Sequence, residues 1–524
     1  MFETTHLTDI KDILIKNKKY YLIYIIAVLI SGFSLITADT LAHPKMELIF
    51  LVLVLFMGLF CLTFYFTHRD DENIYKSLFV FLIIFGMVCV FIAPICQAGD
   101  SQEHLARAEI TSRGILFPEY NGQNFTNFYK NNESKYVWDG TGFEVIQSVK
   151  FFEDNRYHTV FETTHDTDKI NYTPVNTMQA FQQNPFFGYL PQALGILMAK
   201  IFDLNQIWML WLGSICNLLF YSGVVTYAVK KSPILKVPLI VTACIPLCLF
   251  QGASMSIDSI IYAISILIIA YFFYMYKAKE KSVTYKHVGI FMILCLLVGL
   301  CKLTLLGFSL LIFAVPFENF NDRRLIAFSF IGIIILSIIG LLYSQNAQDT
   351  LWHSQRAQHF LEKNVNATQQ INHLMTGNNL TVESSFFLKD IGHALNTLLP
   401  TWKQKGFDTI KFLIFPMYFF IGFVYLGYPI NERFSQKSKI IVLAILTIIF
   451  FGTYFVQYLT WTPVGSLELD SAVNTRYFLP IFALAPFVFN INMNNEDDRI
   501  RDYTILFSVI FLSGMILSII FQFY

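Results

Sequence analysis

Residues 46–67 read MELIFLVLVLFMGLFCLTFYFT, a stretch of 22 positions in which Glu47 is the only charged side chain. This is the length and composition of an α-helix that crosses the hydrocarbon core of a bilayer. Other long apolar stretches follow along the chain without the strict alternation of a membrane β-barrel strand. The sequence therefore predicts an all-α membrane protein that crosses the bilayer many times.

The composition of the whole chain points the same way. Of its 524 residues, 55% are apolar and only 14% are charged, whereas soluble domains carry about 25% charged residues. Basic and acidic residues balance at 37 each, and no basic block suits a polyanion. A soluble enzyme is excluded, the lipid bilayer is the expected surrounding, and nucleic acid is not expected as a partner.

About thirteen apolar windows of roughly 20 residues qualify as predicted spans. They lie near residues 21–41, 46–67, 76–97, 207–229, 232–252, 256–276, 286–300, 303–317, 325–344, 409–428, 440–460, 477–492 and 504–523. The windows on either side of Lys302 are two short spans or one broken helix. Residues 189–203 are shorter and contain Pro191, so a helix in the outer interface is predicted there, with a short span as the alternative.

Seven basic clusters determine the predicted orientation. They are Lys16/Lys18/Lys19, His68/Arg69/Lys76, Lys230/Lys231/Lys236, Lys277/Lys279/Lys281, Arg323/Arg324, Arg433/Lys437/Lys439 and Arg499/Arg501. Since Lys and Arg accumulate on the cytoplasmic side, one topology satisfies all seven, with the N-terminus in the cytoplasm. It places residues 98–206, 345–408 and 461–476 outside, so that a large extracytoplasmic loop bearing short helices follows the third span.

The first outer segment opens with chemically active side chains. Residues 99–114 read GDSQEHLARAEITSRG, which predicts a short surface helix. At helical spacing four side chains fall on one face, namely Asp100, Glu103, His104 and Arg107. A carboxylate placed there can act as a general base. The alternative is that Asp100 and Glu103 only cap the helix.

Three further charged residues mark the outer ends of other predicted spans: Asp258, Lys302 and Arg476. Two cations at one interface suit a lipid phosphate, which an arginine binds as a two-pronged fork. Interfacial anchoring of the two cations and helix capping by Asp258 are the alternatives. No His, Cys and carboxylate spacing predicts a metal site.

Five short motifs lie within residues 94–490. They are DSQEHLARA at 100–108, YLPQA at 189–193, QGAS at 251–254 leading to Asp258, GLCK at 299–302 and RYFLP at 476–480. Together they resemble a family of bacterial integral-membrane proteins, catalogued as a domain of unknown function, that is similar to the GT-C glycosyltransferases. That family opens its outer loop with Asp-Glu-x-x-His. Here Asp100 and His104 match, Ser101 stands in place of the Glu, and Glu103 lies two positions later.

The resemblance implies a GT-C-like membrane core at residues 76–492. An added N-terminal transmembrane hairpin, residues 1–75, would precede this core, and a cytoplasmic turn with a last span, residues 493–524, would follow it. The implied reaction is inverting transfer of a sugar from a polyprenyl-phosphate donor to a cell-envelope glycan or other extracytoplasmic acceptor. The implied location is the bacterial plasma membrane, with the active site on its extracytoplasmic face.

The resemblance also implies roles for the site residues. Asp100 is the expected general base, with Glu103 and His104 beside it. Arg476 and Lys302 are expected to bind the donor phosphate, and the supporting residues are Arg107, Asp258 and Tyr477. No cofactor is required for this chemistry, but some GT-C relatives hold a divalent cation such as Mg²⁺ or Mn²⁺ with carboxylates, and Asp100, Glu103 and Asp258 could form such an oxygen-ligand site here.

Two other functions remain open from the sequence. A lipid-linked oligosaccharide transporter or polymerase also has many spans and phosphate-binding cations, but it needs charges along a route through the membrane. Few charges lie inside the apolar runs. A non-catalytic envelope-assembly subunit would use Asp100 only as a helix cap and would tolerate its replacement by Asn.

Overall fold

The structure is a computed structural model of the full chain. It describes residues 11–36, 46–119, 142–177, 180–351, 360, 363–377, 379, 411–466, 475–492 and 498–524. Most of the predicted second outer segment, 345–408, therefore lies outside the described residues. So do the first ten residues of the predicted N-terminal hairpin and positions 493–497 of the predicted C-terminal turn.

The described chain is mostly helical. In chain order the helices are α1 Lys18–Leu35, α2 Met46–Thr67, α3 Ile74–Ile92, α4 Ser101–Ser112, α5 Gln147–Asp154, α6 Leu190–Ile201, α7 Ile207–Lys231, α8 Lys236–Ala243, α9 Pro246–Gly252, α10 Asp258–Tyr276, α11 Tyr285–Cys301, α12 Arg324–Leu351, α13 Ala367–Leu374, α14 Lys411–Leu426, α15 Gln436–Trp461, α16 Leu479–Phe482, α17 Ala485–Phe489 and α18 Asp498–Phe523. A 3-10 helix, Leu303–Ala314, follows α11.

Two small sheets accompany the helices. Strands β1 (Phe143–Ile146) and β2 (Pro174–Thr177) pair antiparallel in the segment between α3 and α7. Strands β3 (Pro429–Ile430) and β4 (Ile491–Asn492) pair in parallel over two residues each. The all-α class predicted from the sequence therefore holds for the apolar helices, and the polar segments add these short strands.

Eight helices in the described part of the chain are long and apolar enough to cross a membrane, namely α1, α2, α3, α7, α10, α12, α15 and α18. The other five predicted windows correspond to shorter or broken helices. The window at 232–252 is divided into α8 and α9, where Pro246 begins the second helix. The window at 477–492 is divided into α16 and α17, and α14 contains Pro416. The protein is thus a multi-pass membrane protein, and the predicted number of thirteen spans is not reached by the full-length helices alone.

Basic residues collect at one end of the helix bundle. Lys277, which follows α10, pairs with Glu432, and Arg501 at the start of α18 contacts Asp71. A cavity of about 130 Å³ lined by Glu432, Asp71 and Arg501 joins these two contacts. Asp258 opens α10, so it lies about 28 Å along the helix axis from Lys277. Asp258 therefore marks the opposite end of the bundle.

Helices α1 and α2 pack against α18. The Tyr24 hydroxyl of α1 donates to the carbonyl oxygen of Val54 at 2.7 Å and lies 2.9 Å from the Ser513 hydroxyl of α18. In the same way Tyr65 of α2 donates to a carboxylate oxygen of Asp502 at 2.7 Å. The first two described membrane helices and the last one thus form a connected group.

Helix α6 packs tightly on α7 at Gly195. A Cβ atom at this position would lie 2.2 Å from the backbone oxygen of Leu212 in α7. No side-chain rotation can relieve a clash with backbone, so the two helices approach this closely only because residue 195 has no side chain. The contact fixes the position of α6, which at 12 residues is about 18 Å long.

We expect Gly195→Ala to destabilise the protein by roughly 1–3 kcal/mol, the usual cost of forcing extra atoms into a packed interior. The measurement is the midpoint of thermal unfolding of the purified protein in detergent. Gly223→Ala is the matched control, because Gly223 lies in α7 with no heavy atom within 4 Å of a Cβ placed there. Equal midpoints for the two variants would contradict the close contact between α6 and α7.

Candidate functional site

Arg476 joins two carboxylates that are far apart in the sequence. Its Nη2 atom donates to the Oδ2 atom of Asp100 at 2.7 Å, and its Nε atom lies 3.6 Å from the Oδ2 atom of Asp258. Arg476 belongs to the 3-10 turn Thr475–Tyr477, Asp100 precedes α4, and Asp258 opens α10. Three residues predicted separately therefore meet at one end of the bundle.

The backbone of Asp100 directs its side chain to Arg476. Asp100 occupies the N-cap position of α4 in the left-handed conformation, with φ 58° and ψ 23°, and its side chain makes no capping hydrogen bond. Aspartate tolerates this conformation better than most residues. In the structure the Asp100 side chain therefore does not cap α4. Its carboxylate pairs with the Arg476 guanidinium instead.

Asp258 is held by the turn that precedes it. Its backbone N–H donates to the Ser256 hydroxyl at 3.1 Å, and the N-cap position of α10 belongs to Ile257 rather than to Asp258. Two buried amides from neighbouring helices fix this turn: Asn217 of α7 donates to the carbonyl oxygens of Ser254 and Ser256, and Gln192 of α6 donates to that of Ser256. The Asp258 carboxylate is thus positioned by three helices.

Lys302 packs on the ring of Tyr477. Its ammonium nitrogen is 3.1 Å from the centre of the Tyr477 ring, and the Arg476 guanidinium is 5.3 Å from the same centre. Lys302 has extended backbone where α11 gives way to the 3-10 helix Leu303–Ala314, so its side chain leaves the helical path. The aromatic face can stabilise both cations through its quadrupole.

Arg476 is buried, with only 8% of the residue exposed. The Tyr262 hydroxyl of α10 donates to its backbone oxygen at 3.1 Å. Burial acts to lower the pKa of Arg476, but Tyr477, Asp258 and Asp100 raise it by more, so the pKa lies well above its usual value. A guanidinium enclosed in this way is a permanent buried cation, which differs from the exposed side chain expected of an interfacial anchor.

His104 belongs to a network behind Asp258. Its Nδ1 atom lies 2.8 Å from the Tyr189 hydroxyl, and its Nε2 atom lies 3.4 Å from the Ser256 hydroxyl, which accepts the hydrogen bond from the Asp258 backbone. His104 is buried, whereas Glu103 is half-buried in the first turn of α4. The structure therefore connects His104 to Asp258 through Ser256, and the catalytic roles assigned to His104 and Glu103 stay predictions.

Arg107 faces away from the cluster. It is 1% exposed, its Nε atom donates to the carbonyl oxygen of Asn184 at 3.1 Å, and its Nη2 atom donates to that of Leu116 at 2.8 Å. These bonds tie α4 to the segment before Tyr189. The side chains predicted to share one face of α4 therefore contact different partners. Asp100 contacts Arg476, whereas Arg107 bonds to Asn184 and Leu116.

A buried ion-pair group anchors the far end of α4. Glu109 is fully buried, and one of its carboxylate oxygens lies 2.7 Å from the ammonium of Lys200 in α6 and 3.2 Å from Arg113. Because the Lys200 side chain is only 12% exposed, the pair is shielded from water on both sides. The ion pair between Glu109 and Lys200 therefore holds α4 against α6, in addition to the packing between the two helices.

We expect Glu109→Gln to lower the free energy of unfolding by about 3–5 kcal/mol, since it leaves a buried cation without its partner. The double variant Glu109→Gln/Lys200→Met removes both charges and should recover most of this loss. Thermal unfolding of the purified variants measures the difference. If the single variant were as stable as the double variant, the pair would not anchor α4.

Several residues of the site were not singled out in the sequence, among them Ser256, Tyr262 and Asn217. A signal for Asn217 existed, because an amide within an apolar stretch needs a hydrogen-bond partner. The partner could not be predicted from the sequence, because α8 and α9 lie between Asn217 and Ser256 in the chain. Ser256 and Tyr262 flank Asp258 but carry no distinctive spacing.

The cluster as a whole offers two cations and two carboxylates around one aromatic ring. Such a group can bind a phosphate through Arg476 and Lys302 and can accept a proton at Asp100. Within the described ranges, no three His, Cys, Asp or Glu side chains come together in a way that could hold a metal ion. Asp100 and Asp258 instead share the guanidinium between them.

Comparison with known families gives one match. Residues 81–485 match a family described as "Predicted membrane protein (DUF2142)". No curated protein and no solved structure matches the chain. The matched range is well over half of the chain and includes every residue of the predicted site, while α1, α2 and α18 lie outside it.

Proposed function

The chain belongs to the DUF2142 family of predicted membrane proteins, and from its buried charge cluster we propose that it is a membrane glycosyltransferase of the GT-C type. The donor is a sugar carried on a polyprenyl phosphate, and the acceptor is a cell-envelope glycan or another acceptor on the same side of the membrane. The observation that carries the proposal is the convergence of Asp100, Asp258, Arg476 and Lys302 around Tyr477.

The two cations suit the phosphate of the donor. Arg476 has five N–H donors in a planar fork, and it uses them on two carboxylates within the protein. A phosphate diester entering beside Lys302 competes with these carboxylates for the guanidinium. Both cations sit where membrane helices end, which is where the head group of a polyprenyl lipid lies.

Asp100 is the general base in this proposal. While it is paired with Arg476 its carboxylate is a weak base, because the guanidinium stabilises the charged form. Once the donor phosphate shares Arg476, that stabilisation falls and Asp100 becomes a stronger proton acceptor. Donor binding thus prepares the base for the acceptor, and Asp258 keeps Arg476 in place.

The reaction balances without a cofactor. The acceptor hydroxyl oxygen bonds to the anomeric carbon of the sugar as the bond from that carbon to the phosphate oxygen breaks. The electron pair of the broken bond stays on the polyprenyl phosphate, and the hydroxyl proton passes to Asp100. Attack from the side opposite the phosphate inverts the anomeric configuration.

The proposed location is the bacterial plasma membrane, with the cluster on the extracytoplasmic face. It rests on the basic residues at the other end of the bundle, where Lys277 and Arg501 contact acidic side chains. Under the positive-inside rule that end faces the cytoplasm. Polyprenyl-phosphate sugars presented in the outer leaflet then reach Arg476 and Lys302 directly.

The experiment compares the envelope glycan and lipid-linked sugars of a strain lacking this protein with those of the parent and the complemented strain. We expect the deletion to lack one sugar residue in an envelope glycan and to accumulate the polyprenyl-phosphate sugar. A glycan complete in composition but short, or retained in the cytoplasm, would favour the polymerase or transporter. An unchanged glycan and lipid pool would refute the transferase.

A further inference from the structure

A cavity of about 500 Å³ lies beside the charge cluster. Cys301 and Leu303, the two neighbours of Lys302 in the chain, form part of its wall. Other parts of the wall come from the last turns of α12 and α15, from the start of α13 with the residues before it, and from the segment that contains Gln183 and Asn184. Its volume is within the range of about 300–1,000 Å³ that is usual for small-molecule sites.

The lining combines aromatic rings with amide and hydroxyl groups. The aromatic residues are Phe181, Tyr343, Phe360 and Trp461, and the polar ones include Gln183, Asn184, Ser344 and Thr460. Saccharides need this combination, since the C–H face of a sugar ring packs on aromatic rings while its hydroxyls take hydrogen bonds. Tyrosine and tryptophan supply an apolar body with a polar tip.

Gln183 and Asn184 form a fixed part of the cavity wall. The same segment is held rigidly, because the Tyr343 hydroxyl donates to the Gln183 backbone oxygen at 2.6 Å and Asn184 donates to the Tyr189 hydroxyl at 2.9 Å.

Leu306 packs against two glycines of the cavity wall, Gly299 and Gly340. A Cβ atom at Gly299 would lie 2.2 Å from the Leu306 side chain, and one at Gly340 would lie 2.6 Å from it. Leu306 therefore fills the space between these two glycines of the wall.

We infer that this cavity is a saccharide-binding site next to the phosphate-binding cations. The inference rests on the proposed function for the role of the saccharide, either the glycan of the acceptor or the sugar of the donor. The binding itself depends only on the lining residues. Cys301 and Leu303 flank Lys302 in the chain, so a saccharide in the cavity lies beside one of the two phosphate-binding cations.

The experiment measures binding to the protein reconstituted in nanodiscs. One arm uses an array of free oligosaccharides from bacterial envelopes, and the other compares undecaprenyl phosphate with and without an attached hexose. Trp461→Ala and Gln183→Leu each remove a lining group, and Ala347→Phe fills the cavity. We expect each variant to weaken saccharide binding roughly tenfold. Unfolding midpoints confirm that each variant is folded.

Two matched controls separate the cavity from general effects. Ile339→Phe adds the same ring to an exposed position of α12, and Trp208→Ala removes a tryptophan that packs on Trp211 away from the cavity. Both should bind as the wild type does. Ala347→Phe keeps the test valid if Trp461→Ala fails to fold, because it adds to the cavity without removing a contact.

Each outcome decides the inference. Weakening confined to free oligosaccharides identifies the acceptor glycan as the ligand, and weakening confined to the hexose-bearing lipid identifies the donor sugar. Equal weakening for bare undecaprenyl phosphate, or no saccharide binding by the wild type, overturns the inference. If the deletion strain refutes the transferase while the variants still weaken saccharide binding, only the proposed function fails. If transfer is demonstrated and the variants bind normally, only the cavity assignment fails.

Discussion

Asp100→Asn should reduce sugar transfer by at least about 100-fold while the protein stays in the membrane at its normal level. General-base catalysis contributes about 10²–10⁴-fold, and an amide cannot take the acceptor proton. Asn keeps the shape of the side chain and can still accept a hydrogen bond from Arg476, so the fold of the cluster is preserved. The measurement is the missing envelope sugar in a deletion strain complemented with the variant.

Asp168→Asn is the control for this substitution. Asp168 lies in the same segment between α3 and α7, is mostly exposed and pairs with His165, so its loss should leave transfer unchanged. A strain carrying Asp100→Asn with a complete glycan would show that Asp100 is not the base. The assembly-subunit interpretation would then gain support, because it requires no proton transfer.

Arg476→Gln should destabilise the protein more than Asp100→Asn does. Removing the guanidinium leaves Asp100 and Asp258 facing each other without a cation, which for a buried pair costs about 3–5 kcal/mol. The lower end of this range applies, since the Asp100 side chain is 31% exposed. Thermal unfolding of the purified protein measures the loss, and undecaprenyl phosphate binding should fall below detection.

Two companion variants separate charge balance from ligand binding. Arg476→Gln/Asp258→Asn removes one charge of each sign and should recover most of the stability but none of the phosphate binding. Arg476→Lys keeps the charge without the fork and should bind undecaprenyl phosphate about tenfold more weakly. The control is Arg156→Lys, an exposed change in the outer segment. Full phosphate binding by Arg476→Gln would show that the cations do not hold the donor.

The sequence was sufficient to predict a helical multi-pass membrane protein and the charged residues that meet in the cluster, but neither the number of spans nor how these residues meet. Asp258, Lys302 and Arg476 stood out because a charge next to an apolar stretch needs a partner. Their pairing joins residues up to 376 positions apart, and no local pattern encodes such a contact.

The face of α4 shows where local reasoning fails. Ideal helical spacing places Asp100 with His104 and Arg107, but Asp100 has left-handed backbone and its side chain leaves the helix. His104 and Arg107 then contact the segment at Asn184 and Tyr189. The tertiary contact with Arg476 determines the conformation at the start of α4, and that contact is invisible in the surrounding residues.

The position of α18 in the chain affects when the described helices can pack together during synthesis. In its most apolar stretch 89% of the residues are buried, more than in any other of the eight candidate spans in the described chain. The ribosome nevertheless makes α18 after those helices. The helices made earlier therefore stay without this partner until α18 has been synthesised. Only then can Asp502 and Ser513 contact Tyr65 and Tyr24.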